Sequence, residues 1–190
     1  MSDLVQEFMK AMGPKIVPHM ASSTKLSPSM IEQIVPQLVP MIITGLKKQK
    51  DEFGGEARVD HILNKYGSAS ALMDIAGLLS AKSKQTPDPT LGGLLGSAGT
   101  QAASLLAKQF NLKGNQISML ITMLAPVVLG FLSQKKNQAG IGGVASLLDQ
   151  NGDGSVLDDV AGFLLKNTGG SGGIGGAVGS LLGGLLGKKK

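Results

Sequence analysis

The sequence contains no cysteine and no tryptophan, and it has one tyrosine and five phenylalanines among 190 residues. The absence of cysteine excludes a disulfide framework, a thiol nucleophile and any thiolate metal site. It suits a reducing compartment, although periplasmic proteins without cysteine are common too. Because strands prefer aromatic and β-branched residues, an aliphatic core favours helices packed on helices. No stretch alternates between apolar and polar residues as a strand would, so the expected fold class is all-α.

Arginine is almost absent as well, since Arg58 is the only one, and the net charge of +5 comes from lysine. The lysines cluster at 47–50, 135–136 and 188–190. A nucleic-acid interface would use arginine for bidentate contacts and aromatic rings for stacking. The first two clusters fall where helical patterns end, and cations there suit the helix dipole. We therefore expect no nucleic-acid partner.

Catalytic patterns are missing too. His19 and His61 are the only histidines, and neither has an identifiable serine, cysteine or metal partner in the sequence. The chain has no G-x-S-x-G, H-E-x-x-H or P-loop motif, so we expect no enzyme. Residues 1–20 carry four charged side chains and no unbroken apolar run, so we expect no cleavable secretory signal and a cytoplasmic location.

The chain resembles itself at a fixed offset. At an offset of 86, residues 25–40 match residues 111–126, and the offset becomes 85 after one extra residue in the first copy. Residues 61–67 then match 146–152, and residues 74–79 match 159–164. The sequence therefore predicts two tandem multi-helix units followed by a glycine-rich C-terminal helix or tail.

The predicted boundaries are residues 1–85 for the first unit, 91–166 for the second and 167–190 for the tail. The first unit is expected to hold helices at about 3–20, 29–48, 57–65 and 70–81, and the second at about 93–110, 116–134, 141–148 and 156–165. Ser27 before Pro28 predicts one helix N-cap, and Asn115 predicts its counterpart. Pro87 and Pro89 break the pattern between the units.

The uncharged run 117–132 resembles a membrane span but is 16 residues long, shorter than the roughly 20 that cross a bilayer. Its counterpart in the first unit carries Glu32, Gln33 and Gln37, which fits a soluble bundle. We expect a buried central helix in each unit.

Residues 149–159 resemble the front half of an EF-hand calcium loop, with oxygen side chains at positions one, three and five and Gly154 at six. Position nine lacks a side-chain oxygen, and position twelve is Val160 rather than glutamate. The pattern fits a Ca²⁺ site, yet it equally fits a metal-free turn that caps a helix. The candidate ligands are Asp149, Asn151, Asp153, Ser155, Asp158 and Asp159. Because the first unit has lost most of these oxygens, only the second is expected to bind metal.

The run 124–130, the loop residues 154–160 and the glycine-rich tail occur in an order that resembles the bacterial YidB-like proteins, the family of domain of unknown function 937. The resemblance covers most of the second unit and, more weakly, the first. It implies an all-helical domain in a bacterial protein, and it transfers no activity and no catalytic residue. Tandem duplication is a departure from the simplest form of that family.

The tail places glycine at 175, 179, 183 and 187, with a second small-residue row and aliphatic side chains between. Small residues at every fourth position let helices approach closely, so the tail favours self-association or docking on another protein. A flexible tether is the alternative. A third is a membrane surface bound through residues 172–190, where three lysines suit anionic headgroups. The expected function is a non-enzymatic bacterial scaffold or interaction module, and peripheral membrane association is the runner-up.

Overall fold

The computed structural model describes residues 2–67, 72–88, 91 and 93–139, and these residues form six α-helices without a strand. The helices are α1 (Ser2–Thr24), α2 (Pro28–Phe53), α3 (Gly55–Tyr66), α4 (Ile75–Ser83), α5 (Gly96–Gln109) and α6 (Gly114–Ala139). The all-α prediction is confirmed. The helices of the first unit and the first two of the second occur in the predicted order, with different ends.

Helices α2 and α6 form the centre of the bundle. Each contacts the other, and α6 also contacts α1, α3, α4 and α5. In α6, every residue from Ile117 to Leu132 except Met119 is buried, as expected for a helix that is apolar nearly all round. Residues 37–46 of α2 are buried in the same way apart from Thr44, which is partly exposed. One aliphatic core therefore surrounds the two central helices.

Helix α1 packs on both central helices through a regular stripe. Its buried residues recur three and four positions apart, which is the period of an amphipathic helix. They are Leu4, Val5, Phe8, Met12, Ile16, Val17, Met20 and Ala21. Pro14 and Pro18 both face away from this stripe and are exposed, and the helix continues past them to Thr24.

The turn that ends α1 and the turn that ends α5 have the same geometry. Lys25 and Asn111 both adopt left-handed backbone conformations, with φ of 58° and 52°. After each of them a leucine N–H donates back across the turn, from Leu26 to the Ala21 carbonyl at 3.2 Å and from Leu112 to the Ala107 carbonyl at 2.7 Å. Each pattern satisfies a carbonyl that the end of a helix would otherwise leave free.

The two central helices begin with complementary halves of a capping box. Ser27 caps α2, and its Oγ accepts from the Met30 N–H at 3.3 Å, as predicted. The predicted cap at Asn115 is wrong, because α6 begins one residue earlier, at Gly114. There the Gln116 side chain reaches back, and its Oε1 accepts from the Lys113 N–H at 3.1 Å. Glutamine at the third helical position performs this role without a capping side chain before it.

The segment after α4 is held against the middle of α6. The Thr122 hydroxyl accepts from the Asp88 N–H at 2.9 Å and lies within 2.9 Å of the Ser118 carbonyl one turn earlier. This contact fixes where the chain leaves the first four helices and turns towards α5.

Candidate functional site

All six candidate calcium ligands lie outside the residues that the structure describes, as does the glycine-rich tail. The ligand set therefore stays a prediction, for Asp149, Asn151, Asp153, Ser155, Asp158 and Asp159. Within residues 2–67, 72–88, 91 and 93–139, the structure brings together no group of three or more histidine, aspartate or glutamate side chains that could hold a metal ion.

The first-unit counterpart of this loop is partly described, and it shows what one of its aspartates does. Asp74, the counterpart of Asp159, is the N-cap of α4, and its Oδ1 accepts from the Gly77 N–H at 2.8 Å. Asn64 and Tyr66, the counterparts of Asp149 and Asn151, are exposed at the end of α3. In the first unit, the last aspartate of the pattern is therefore a helix cap.

Gly77, at the third helical position, lies close beside the capping carboxylate. A Cβ built on Gly77 would lie 2.2 Å from the Asp74 Oδ2, so a larger residue there would push the carboxylate aside. The same Asp-x-x-Gly spacing occurs at Asp159 and Gly162. Both of these residues lie outside the described part of the chain, and Asp159 stays a predicted ligand.

Gly67 ends α3 at a point where the backbone meets α6. A Cβ at Gly67 would lie 2.6 Å from the Leu129 carbonyl oxygen, so only glycine permits this approach. The Gly67 N–H donates to the Leu63 carbonyl at 2.7 Å and closes the end of α3. Lys136 of α6 also forms an ion pair with Asp60 of α3. Together these contacts seat the end of α3 on α6.

A polar pair inside the bundle was not predicted from the sequence. The Gln37 Oε1 and the Thr44 Oγ1, both on α2, are buried and have no hydrogen-bond partner in the described part of the chain. The Gln37 Nε2 does donate, to the Gln33 carbonyl at 3.3 Å. Residues seven apart lie on the same side of a helix, so Gln37 and Thr44 share one stripe of α2. The sequence feature that could have indicated these buried polar groups is a glutamine inside an apolar helical stretch.

An open groove of 440 Å³ lies between α5 and the start of α6. Its lining includes the Lys108 side chain, Asn111 and Ser118, and neither histidine borders it. The Ser118 Oγ donates to the Gly114 carbonyl at 2.9 Å. The groove thus offers one cation, and the Ser118 hydroxyl in it already has a partner within α6.

The lysine clusters at the ends of α2 and α6 face carboxylates. Lys47 and Lys48 each pair with an acidic residue four positions on, at 3.9 Å and 3.7 Å. Lys50 pairs with Glu56 of α3 at 3.9 Å, and Lys135 pairs with Glu7 of α1. These partly exposed pairs are worth less than about 1 kcal/mol each. The lysines in these pairs lie near the C-terminal ends of the two central helices.

His19 and His61 are both exposed, on α1 and α3. Helices α2 and α6 are long and apolar enough to cross a membrane by length and composition, with 67% and 72% of their most apolar 18-residue stretches buried inside the bundle. Core helices of soluble proteins pass the same test.

The described residues therefore form a cysteine-free helical bundle built around two buried central helices. The family model described as "bacterial protein of unknown function (DUF937)" matches residues 6–135, and the chain belongs to this family. The match runs from α1 into α6, across parts of both predicted units, and ends before the candidate calcium loop. No curated protein and no solved structure gives a significant match to the chain.

Proposed function

We propose that this chain is a non-enzymatic bacterial scaffold or self-assembly module that associates through its C-terminal segment. The observation that carries the proposal is the tail at 169–187, in which small residues recur every fourth position between aliphatic ones. Glycine costs about 1 kcal/mol per residue relative to alanine in a helix, so a helix of this composition needs a partner surface. Two copies of the tail can supply that surface to each other.

The described helices support this mode of association, because the bundle already packs on glycine. At Gly45 of α2, an added Cβ would lie 2.4 Å from a Leu95 methyl group and 3.0 Å from the Leu94 carbonyl. The segment just before α5 therefore sits directly against the backbone of α2. The described bundle therefore already contains close packing against a glycine, and the tail sequence is rich in the same residue.

We also propose that the chain is a tandem duplicate. Three correspondences support the idea: α2 and α6 start 86 residues apart and are both 26 residues long. The turns before them share one geometry. Contacts between the halves are reciprocal, since α1 contacts α6 while α5 contacts α2. The finer placement among YidB-like proteins belongs to this proposal and rests on the order of the proline-containing helix, the Asp-Gly-Ser loop and the tail.

The experiment for self-association is multi-angle light scattering on the full chain and on a chain lacking residues 169–190. The proposal predicts an oligomer that falls to a monomer when the tail is removed. The matched control replaces Lys188, Lys189 and Lys190 with glutamine, which keeps every tail glycine, and it should leave the oligomer intact. An oligomer that survives deletion of the tail, or a monomeric full chain at all concentrations, contradicts the proposal.

A structural calcium ion in the second unit completes the proposal, and spaced oxygens at Asp149, Asn151 and Asp153 support it. Calorimetric titration of Ca²⁺ into metal-free protein should give binding heat and raise the melting temperature. The double variant Asp149→Ala with Asp153→Ala should abolish both effects, and the control Asp51→Ala with Glu52→Ala should abolish neither. Absence of heat in the unaltered chain would leave the loop as a turn.

Peripheral membrane association is the second candidate, favoured by three consecutive lysines directly after the Leu/Gly tail. Sedimentation with anionic liposomes tests it. Binding that is lost in the lysine-to-glutamine variant, with a monomeric protein in solution, would favour the membrane over self-association. The cytoplasmic location predicted from the sequence remains part of both proposals.

A further inference from the structure

We propose that the end of the bundle formed by residues 25–30 and 108–113, which we call the cationic tip, binds the surface of an anionic phospholipid bilayer. This end carries exposed lysines next to partly exposed apolar side chains. The inference goes beyond the proposed function, because it names an interaction surface on the folded bundle that does not depend on the tail.

One glutamine joins the two turns of the cationic tip. The Gln116 Oε1 accepts from the Lys113 N–H at 3.1 Å, and the Gln116 Nε2 donates to the Thr24 carbonyl at 3.3 Å. Lys25 follows Thr24 directly, so both turns lie against one side chain. The tip is therefore one continuous surface, built where α1 and α5 end and where α2 and α6 begin.

The charge of the cationic tip is not neutralised by carboxylates. Lys25, Lys108 and Lys113 are exposed, and none of them forms an ion pair within the described part of the chain. Residues 22–32 and 105–118 contain these three lysines and one acidic residue, Glu32. At the opposite end of the two central helices, all five lysines are paired with aspartate or glutamate. The tip is therefore the end of the bundle that attracts an anionic surface.

Apolar side chains lie beside these lysines and remain partly exposed. They are Leu26 and Met30 at the first turn, and Phe110 and Leu112 at the second. Leu26 and Leu112 each follow the residue that adopts the left-handed conformation in its turn. Such side chains can enter the boundary between headgroups and acyl chains, while lysine stems extend along them and keep the ammonium groups among the headgroups.

The type of cation favours a lipid surface over an acidic polypeptide. A bilayer offers many phosphates and carboxylates at no fixed spacing, and lysine ammonium groups meet them as point charges. Arginine, which recognises a single carboxylate through two parallel hydrogen bonds, is absent from the tip. Each lysine close to an anionic surface raises the partition coefficient about fivefold, so three lysines together contribute roughly a hundredfold.

Sedimentation of the full chain with vesicles tests the inference. We expect salt-sensitive binding to vesicles of phosphatidylcholine with phosphatidylserine, and little binding to phosphatidylcholine alone. Replacing the three tip lysines with glutamine should lower the partition coefficient roughly a hundredfold. The matched control removes the same charge from exposed lysines elsewhere and should keep most of the binding; its substitutions are Lys10→Gln, Lys65→Gln and Lys84→Gln. Both variants are repeated in a chain with glutamine at positions 188–190, so that the tail cannot mask the tip.

A fluorescent label reports contact between the tip and the bilayer. Because the chain has no native cysteine, an environment-sensitive dye can be attached at Ser29→Cys in the tip and, as a control, at Ser80→Cys on the exposed side of α4. With anionic vesicles, the emission should move to shorter wavelength at position 29 and stay unchanged at position 80. Circular dichroism checks that each variant folds, and Asn115→Cys, exposed at the other turn, replaces Ser29→Cys if that variant does not.

Four results would overturn the inference. Equal losses in the two triple variants, or an unshifted dye at position 29 in vesicle-bound protein, would show that the tip does not meet the bilayer. Unchanged binding of the tip variant would leave lipid binding to the tail. Binding of polyglutamate that needs the tip lysines, without binding to vesicles, would assign the tip to an acidic polypeptide. Light scattering separates this inference from the proposed self-association, because the tip variant should keep its oligomeric state, whereas a newly monomeric tip variant would assign the tip to a second copy.

Discussion

The rings of Phe8 on α1 and Phe131 on α6 meet edge to face, with centroids 5.4 Å apart and planes at 87°. They join the first helix of one half to the central helix of the other. At the repeat offsets, their counterparts are Leu94 and Leu46, and the Leu94 carbonyl lies against Gly45, the neighbour of Leu46. Under the proposed duplication, equivalent positions therefore lie against the opposite central helix in each half.

The contact between Phe8 and Phe131 should contribute strongly to the stability of the bundle. Phe8→Ala and Phe131→Ala each remove a buried ring, and each is expected to lower the free energy of unfolding by about 3–5 kcal/mol. The double variant should lose less than the sum, with a coupling of about 0.5–1.5 kcal/mol from the edge-to-face contact. Urea denaturation of the four proteins measures the cycle. Strictly additive losses would show that the rings do not interact.

The strained turn after α1 predicts a stabilising substitution. Lys25 is held at positive φ, where glycine carries no steric penalty, so Lys25→Gly should raise the free energy of unfolding by about 1 kcal/mol. Asn111→Gly should gain less, because asparagine tolerates this conformation better. Lys10→Gly, an exposed position inside α1, is the control and should lose about 1 kcal/mol. A loss at Lys25 equal to that at Lys10 would contradict the turn geometry.

Any side chain added at position 45 should destabilise the bundle. Gly45→Ala drives a methyl group into Leu94 and Leu95 and is expected to cost about 1–3 kcal/mol. Gly13→Ala, inside α1, meets only a Met9 methyl group at 3.5 Å and should be neutral or stabilising. Thermal melts of the two variants distinguish a packing requirement at Gly45 from a general cost of altering glycine. Equal melting temperatures would remove that requirement.

The aspartate caps separate helix stability from metal binding. Asp74→Ala should cost about 1 kcal/mol, and Asp74→Ser should restore most of it. We expect Asp159→Ala to have a similar cost in metal-free protein and to leave the calcium affinity unchanged. Asp153→Ala should do the reverse. Melting curves with excess Ca²⁺ and with a chelator measure all four variants. Calcium-dependent destabilisation by Asp159→Ala would make that carboxylate a ligand.

The sequence was sufficient for the fold class and for the helix order in the described residues, because helical period and caps are local signals. Ser27 followed by Pro28 marked the start of α2, and the apolar run beginning at Ile117 marked a buried helix. The helix ends were less accurate. Helix α2 runs to Phe53, five residues past the prediction, since paired lysines and acids four residues apart extend it.

Features that depend on distant residues could not be predicted from local patterns. The side chain of Asn115 suits a helix cap, whereas the Gln116 side chain reaches back from inside the helix instead. The hydroxyl of Thr122 binds the backbone of Asp88, 34 residues away. The burial of the Gln37 and Thr44 side-chain oxygens follows only from the packing of other helices around α2. The metal loop stays a prediction in full.

The central claim is the proposed duplication, in which α2 and α6 are equivalent central helices, with α1 against α6 and α5 against α2. Nuclear Overhauser spectroscopy of the full chain tests it directly. The account predicts ring-to-ring contacts between Phe8 and Phe131, together with contacts between the Leu95 methyl groups and the Gly45 α-protons. The first set of contacts without the second would contradict it.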